Sequence, residues 1–222
     1  MALFRHIARR LRLRQLKRET SGLAFMEFAL AAPLLMMTTL GGFELIRLAL
    51  INQQLSSTAV QVADLAARYK DGISEEDVNS LFLGSQLSLD IDDFAANGMI
   101  ILSAITENED FDTDGNPVPD GQWIRWQRCD GSGAFDSRYG DEGDGRYDDS
   151  VPTIDGFTAI DPNTVMIAEL YYSYNPSNPA GRILQPVASV FQKRDLRYQS
   201  AFIARELELN TISPIGTASS CP

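Results

Sequence analysis

A long apolar run that begins at Leu23 constrains this chain more than any other feature. No charged residue occurs between Phe28 and Phe43, and the flanking stretches Leu23–Met26 and Leu45–Ile51 extend the run. Together they provide the roughly 20 apolar residues that a helix needs to cross a bilayer. A cleaved secretory signal is the rival interpretation, but no small-x-small cleavage site followed by a polar segment ends the run. The sequence therefore predicts a membrane-spanning helix.

Charge is distributed very unevenly on the two sides of this segment. Residues 1–22 contain seven basic residues and one acidic residue, a net charge of +6, whereas the rest of the chain contains 12 basic and 29 acidic residues. A basic stretch before a membrane helix is expected on the cytoplasmic side. Nucleic-acid-binding domains are usually basic, so the acidic remainder argues against nucleic acid as a partner.

The apolar pattern continues past the membrane segment with helical spacing. Apolar residues recur every three or four positions and so lie on one helix face: Leu48, Ile51, Leu55, Ala59, Val62, Ala66 and Tyr69. The pair Asp71-Gly72 is a typical helix stop. The sequence predicts one helix from about Leu23 to Lys70, on the order of 70 Å long, whose outer half is an amphipathic stalk.

Residues 71–209 have the pattern of an α+β domain with a mostly antiparallel sheet and acidic, glycine-rich loops. Ser74-Glu75-Glu76-Asp77 resembles a capping box and predicts a helix through about Leu83, ended by Gly84. Asp90–Asn97 is predicted as a turn or a further short helix. Four strands are predicted: Met99–Ile105, Gln122–Arg128, Thr164–Tyr174 and Tyr198–Glu206.

The remaining segments have weaker signals. Val187–Arg194 is predicted as a short helix, and residues 210–222 as a loose tail. The aromatic residues of the strands are expected in the core rather than on a binding platform: Trp123, Trp126, Tyr171, Tyr172 and Tyr174. The chain thus divides into a leader (1–22), a helix (23–70), an α+β domain (71–209) and a tail (210–222).

Few residues in the acidic domain suit catalysis or metal binding. Its two cysteines, Cys129 and Cys221, are too few for a structural zinc site. If the domain is exported they can form one disulfide, but the sequence does not decide whether they meet. The only histidine, His6, lies in the leader, which excludes histidine-based triads from the domain. No P-loop or G-x-S-x-G motif is present.

One acidic stretch resembles the first half of a calcium-binding loop. Asp110, Asp112 and Asp114 alternate and are followed by Gly115, as in an EF-hand. The twelfth position is Gly121, where a bidentate glutamate is needed. An acidic loop between two strands is therefore the favoured interpretation, with a calcium site as the weaker alternative.

Three charged residues lie within or beside the predicted membrane segment. A carboxylate in lipid is costly, so Glu27 is a candidate functional residue. The alternative is a solvated position at the headgroup boundary. Glu44 and Arg47 are three residues apart and are expected to pair on one helix face or to contact a partner protein.

The residues around Glu27 resemble a known family. Residues 22–35, GLAFMEFALAAPLL, resemble the G-xxxx-E-F-A-L-xx-P-L-L opening of TadE-like minor pilins (pseudopilins) of the tight-adherence, Flp-type pilus system. The resemblance continues in Gly42–Arg47 and Gln53–Leu55. Phe28 stands where the major pilins of this system usually have tyrosine, and the chain is longer than a major pilin, which favours a minor member.

This resemblance implies a specific processing step and location. A prepilin peptidase would cut between Gly22 and Leu23, and Glu27 would then neutralise the new amino group of a neighbouring subunit. The family implies a non-enzymatic protein without a cofactor in the bacterial cytoplasmic membrane, with its N-terminus cytoplasmic and its C-terminal domain periplasmic. Implied partners are the peptidase, other minor pilins, the major pilin and the membrane assembly platform.

Two alternatives belong to other functional classes. The first is an unprocessed, permanently anchored periplasmic binding or adhesion module. The second is an anchored hydrolase that uses acidic residues, which is disfavoured because nothing in the sequence marks two carboxylates as buried and opposed.

Overall fold

The computed structural model describes residues 21–70, 72–154, 158–159, 163–175, 193–205 and 207–222. The chain folds into a long N-terminal helix followed by an antiparallel sheet, which confirms the predicted α+β class. The helices are α1 (Ser21–Ala66), α2 (Glu75–Leu89), α3 (Phe94–Asn97) and a 3-10 turn (Leu207–Asn210). The strands are β1 (Ile73–Ser74), β2 (Gly98–Glu107), β3 (Gln122–Gly131), β4 (Val165–Tyr174), β5 (Arg194–Ile203) and β6 (Ile212–Ser213).

Helix α1 has two halves with opposite environments. In the outer half, the apolar stripe predicted from the sequence is buried, with Leu55 and Ala59 fully inaccessible to solvent. This apolar stripe packs on one face of strands β4 and β5. In the first half, up to Phe43, large apolar side chains are exposed, for example Phe25 at 72% and Leu30 at 79%. The sheet domain therefore covers only the outer half of the helix.

Helix α1 ends at Ala66, four residues before the predicted end at Lys70. Just past this end, the carbonyl of Ala67 accepts a hydrogen bond from the backbone N–H of Arg205 at 3.1 Å. This bond ties the end of the helix to the chain just after β5. The predicted stop residue Asp71 lies outside the described residues.

The predicted capping box starts helix α2. The Ser74 hydroxyl accepts from the Asp77 N–H at 3.2 Å, and the Asp77 carboxylate accepts from the Ser74 N–H at 2.9 Å. The predicted stop at Gly84 is wrong, because α2 continues to Leu89. Its buried residues Val78, Phe82 and Leu89 recur at helical spacing, so burial of this face outweighs the roughly 1 kcal/mol cost of one glycine.

The four long strands form one sheet with the order β3-β2-β4-β5, antiparallel throughout. Central strand β2 is buried on both faces because helices α1 and α2 cover one side and loop residues the other. Strand β5 begins four residues earlier and ends three residues earlier than predicted. Arg194, predicted as the end of a short helix, begins this strand; residues 187–192 lie outside the described part. All five aromatic residues predicted for the core are buried.

The C-terminal tail is tied to the domain rather than loose. Cys129 on β3 and Cys221 form a disulfide, and the Cys129 N–H donates to the carbonyl of Ser219 at 2.8 Å. Strand β6 pairs in parallel with β1. The buried indole N–H of Trp126 donates to the carbonyl of Leu209 at 3.1 Å. These distant contacts explain why a segment with loop composition is held in place.

A buried ion pair joins α2 to the sheet. The Arg128 guanidinium donates to both carboxylate oxygens of Glu75 at 2.6–3.0 Å and to Glu142 at 2.7 Å. Glu75 and Arg128 are 4% and 8% exposed. Hydrogen bonding to Glu75 raises the pKa of Arg128, so the guanidinium is charged. Loss of one partner would leave the other charge buried without compensation.

We expect Arg128→Met to destabilise the fold by about 3–5 kcal/mol, because Glu75 would keep a buried, unpaired charge. Urea unfolding followed by tryptophan fluorescence measures this loss. The matched control is Arg68→Met, which removes an exposed pair with Asp64 and should cost less than about 1 kcal/mol. Equal losses in the two variants would contradict the role assigned to the buried pair.

Candidate functional site

The predicted cleavage bond lies at the start of the described part of α1. Gly22 is exposed, and a Cβ at this position would meet no atom within 4 Å. Glycine lowers the helix propensity by about 1 kcal/mol relative to alanine. The helix at Gly22 is thus accessible and locally weaker than it would be with alanine there.

Glu27 lies on the same face of the helix as Leu23, because residues four apart are neighbours on a helix surface. Glu27 is exposed and makes no ion pair within the described part of the chain. The neighbouring Phe28 is 66% exposed. This carboxylate is therefore free to meet a positive charge from outside the described chain.

The first half of α1 has the properties of a membrane anchor. By length and composition the helix is able to cross a membrane, with a mean hydropathy of 1.7 over its most apolar window, none of which is buried. Leu23–Gly42 spans about 30 Å at 1.5 Å per residue, which matches the hydrocarbon thickness of a bilayer. Exposed apolar residues on all sides suit contact with lipid or with other apolar helices.

The structure does not pair Glu44 with Arg47. Instead, the hydroxyl of Tyr174 donates a hydrogen bond to Glu44, and the hydroxyl of Tyr198 donates to Asn52 two turns further along α1. Burial and the bond to Glu44 raise the pKa of Tyr174, so the phenol keeps the proton that it donates. The two tyrosines connect the sheet to the helix where the exposed half ends.

Arg47 lines a cleft of about 500 Å³ between α1 and the α2–α3 turn. The cleft is also lined by Leu50, Ile51, Gln54, Asp90, Ile91, Asp92, Asp93, Asn97 and Asn175. Asp93 accepts a hydrogen bond from the Tyr172 hydroxyl at 2.7 Å, which fixes the turn against β4. The cleft is open and mainly polar, with acidic residues on one wall and Arg47 on the other.

The aspartates of the weak calcium candidate lie in a tight exposed turn between β2 and β3. The Asp112 carboxylate accepts hydrogen bonds from the Asp114 N–H at 2.9 Å and from the Asn116 N–H at 2.8 Å. The hydrogen bond from the Asn116 side chain lowers the pKa of Asp112. The side chain of Asp112 thus stabilises the turn itself, and the described residues contain no group of three or more side chains placed to hold a metal ion.

Sequence reasoning missed the tyrosines that hold the helix to the sheet. Tyr174 and Glu44 are 130 residues apart, and Tyr198 and Asn52 are 146 apart. Part of this contact was predictable, because side chains alternate between the two faces of a strand. On β4 this alternation places Tyr172 and Tyr174 on the sheet face that α1 covers. Their helical partners were not predictable from spacing.

The sequence comparisons agree with the geometry of α1. The family model "TadE-like protein" matches residues 22–64, which is nearly the whole helix and none of the sheet. No curated protein and no solved structure matches the chain. The matched segment contains the exposed apolar half, Gly22, Glu27 and the first part of the buried stripe. The match over the long helix supports a TadE-like protein of the Tad pilus system.

Proposed function

We propose that this protein is a minor pilin, or pseudopilin, that supports assembly of a tight-adherence pilus after a prepilin peptidase cuts between Gly22 and Leu23. The observation that carries the proposal is the helix Ser21–Ala66, which matches TadE-like proteins and has an apolar first half that the sheet domain leaves uncovered. The TadE-like pilus-associated family is not enzymatic, and the proposed role is one of assembly.

The proposed processing creates a charge pair at the start of the helix. Cleavage after Gly22 gives Leu23 a free α-amino group, one helical turn from Glu27. A positive amine and a negative carboxylate are each costly in an apolar environment, and pairing them offsets much of that cost. In an assembly of parallel helices, the amine of one subunit meets Glu27 of a neighbour. This pairing would set the axial register between subunits.

The proposed location is the bacterial cytoplasmic membrane, with the leader in the cytoplasm and the sheet domain outside. The seven basic residues before Gly22 support this orientation through the positive-inside rule. The disulfide between Cys129 and Cys221 supports it independently, because disulfides persist in oxidising compartments and are rare in the cytoplasm.

The proposed partners follow from the two halves of the chain. The prepilin peptidase would act on the N-terminal turn. Other minor pilins, the major pilin and the membrane assembly platform would contact the exposed apolar half of α1, because membrane helices associate by close packing of such surfaces. Gly41, Gly42 and the small residues Ala29, Ala31 and Ala32 allow close approach of a second helix.

A second candidate is a permanently anchored periplasmic binding or adhesion module that is never processed. The observation that favours it is the open cleft beside Arg47, which a ligand or partner segment can enter. The two candidates differ in the N-terminus of the mature protein. An intact leader in cells that contain the peptidase would favour the second candidate and exclude the first.

We expect Gly22→Leu to block removal of residues 1–22, because a bulky side chain prevents the backbone from lying flat in a protease cleft. Immunoblots and mass spectrometry of the N-terminus in cells with the peptidase measure processing. The matched control is Gly42→Leu, since Gly42 also has open space around it and lies far from the bond. Normal processing of the Gly22 variant would refute the assigned cleavage site.

We expect Glu27→Ala to leave processing intact but to reduce pilus display at least about tenfold, because the new amine would lose its counter-charge. Quantifying pili by electron microscopy beside the processing assay separates the two steps. Met26→Ala is the control, since it truncates a neighbouring exposed residue without changing charge. Normal pili in the Glu27 variant would leave the proposed pairing without support.

A further inference from the structure

The sheet domain begins at the level where the apolar half of α1 ends. With Leu23–Gly42 across the hydrocarbon core, Glu44 lies about 3 Å and Arg47 about 8 Å beyond it. The headgroup layer is roughly 5–8 Å thick on each side of a bilayer. Because Tyr174 is hydrogen-bonded to Glu44, the end of β4 lies in or directly on this layer. This placement rests on the proposed membrane location of α1.

Two further cations lie at the same level as Tyr174. Arg194, the first residue of β5, is the register partner of Tyr174, and directly opposed residues lie on the same face of a sheet. Arg194 thus lies on the face that α1 covers, and Lys193, just before the strand begins, adds a positive charge at the same end of the sheet. Both side chains are exposed. The positive charges of Arg47 and Arg194 both act on the Tyr174 hydroxyl and oppose the rise of its pKa.

These cations stand out because the domain is otherwise strongly acidic. The chain after Gly22 has 12 basic and 29 acidic residues. The α2–α3 turn at the same end of the domain carries Asp90, Asp92 and Asp93 on the side of β2. Asp195 is opposite Ser173 and so projects from the other sheet face. The membrane-proximal end therefore has Lys193 and Arg194 at β5 and the aspartates at the α2–α3 turn, with Arg47 on α1 across the cleft from the aspartates.

We propose that Arg47, Lys193 and Arg194 form a lipid-binding corner that contacts the anionic phospholipid headgroups of the bilayer that α1 crosses. Guanidinium groups bind phosphate oxygens through paired hydrogen bonds, and lysine adds a compact positive charge. An anionic surface attracts this side of the domain and repels the aspartates of the α2–α3 turn. The sheet domain is consequently tilted so that its β5 side lies closer to the membrane than the α2–α3 turn.

The test uses the full chain in nanodiscs of phosphatidylcholine alone or mixed with phosphatidylglycerol. Hydrogen–deuterium exchange of the amides in residues 193–198 reports contact with the lipid surface. We expect exchange about fivefold slower in the anionic discs, with the difference lost at high salt because screening weakens exposed charge contacts.

Two charge-reversal variants separate the corner from a general charge effect. Lys193→Glu with Arg194→Glu should abolish the difference between the two lipids. The control is Lys70→Glu with Arg205→Glu, which makes the same charge change with exposed residues at the opposite end of α1 and should retain the difference. If the control variant also loses the difference in exchange between the two lipids, overall charge explains the effect and the lipid-binding corner is wrong.

The remaining outcomes distinguish this inference from the proposed function. If the chain co-elutes with the discs but residues 193–198 exchange equally in both lipids, the lipid-binding corner is wrong and the membrane anchor stands. If protection depends on the number of chains per disc rather than on the lipid, the contact is with a second copy, which also overturns it. If the chain does not co-elute with the discs, both the corner and the membrane placement fail.

Discussion

The packing of one apolar stripe of α1 on β4 and β5 is the interaction on which the rest of the structure depends. Leu55, Ala59 and Ala63 are fully buried, and the alanines let the helix approach the sheet closely. This stripe begins near Ile51, about two turns after the uncovered half ends. The same helix therefore has one half stabilised by its own domain and one half that needs another apolar environment. The position of this transition fixes the height of the domain above a membrane.

The features that sequence reasoning predicted well are those set by local pattern. The helical stripe, the Ser74–Asp77 capping box and the existence of the four long strands all follow from residues close together in the chain. The errors arose where distant contacts decide the outcome. Gly84 is tolerated because the buried face of α2 continues past it, and the tail is held by Cys129, which is 92 residues from Cys221. Glu44 bonds Tyr174 rather than the nearby Arg47 for the same reason.

The candidate site also combines features set by local sequence with features set by distant contacts. The roles of Gly22, Leu23 and Glu27 stay predictions; all three residues lie in the helix Ser21–Ala66, and these roles need no residue from the sheet. The sheet instead determines how the helix is held at its other end, through Tyr174 and Tyr198. In the proposed function, assembly at the N-terminus and attachment of the sheet domain thus involve separate parts of one helix.

The central claim is that α1 passes from lipid into its own domain near Phe43. Spin labels placed singly from Leu30 to Leu65, on the full chain in vesicles, test it by their accessibility to oxygen, which concentrates in lipid. We expect high accessibility at every position through Phe43, then a period of about 3.6 residues with minima at Leu55, Ala59 and Val62. A helical period that extends back to Leu30 would contradict the account, because it would show that protein covers one face of the first half as well.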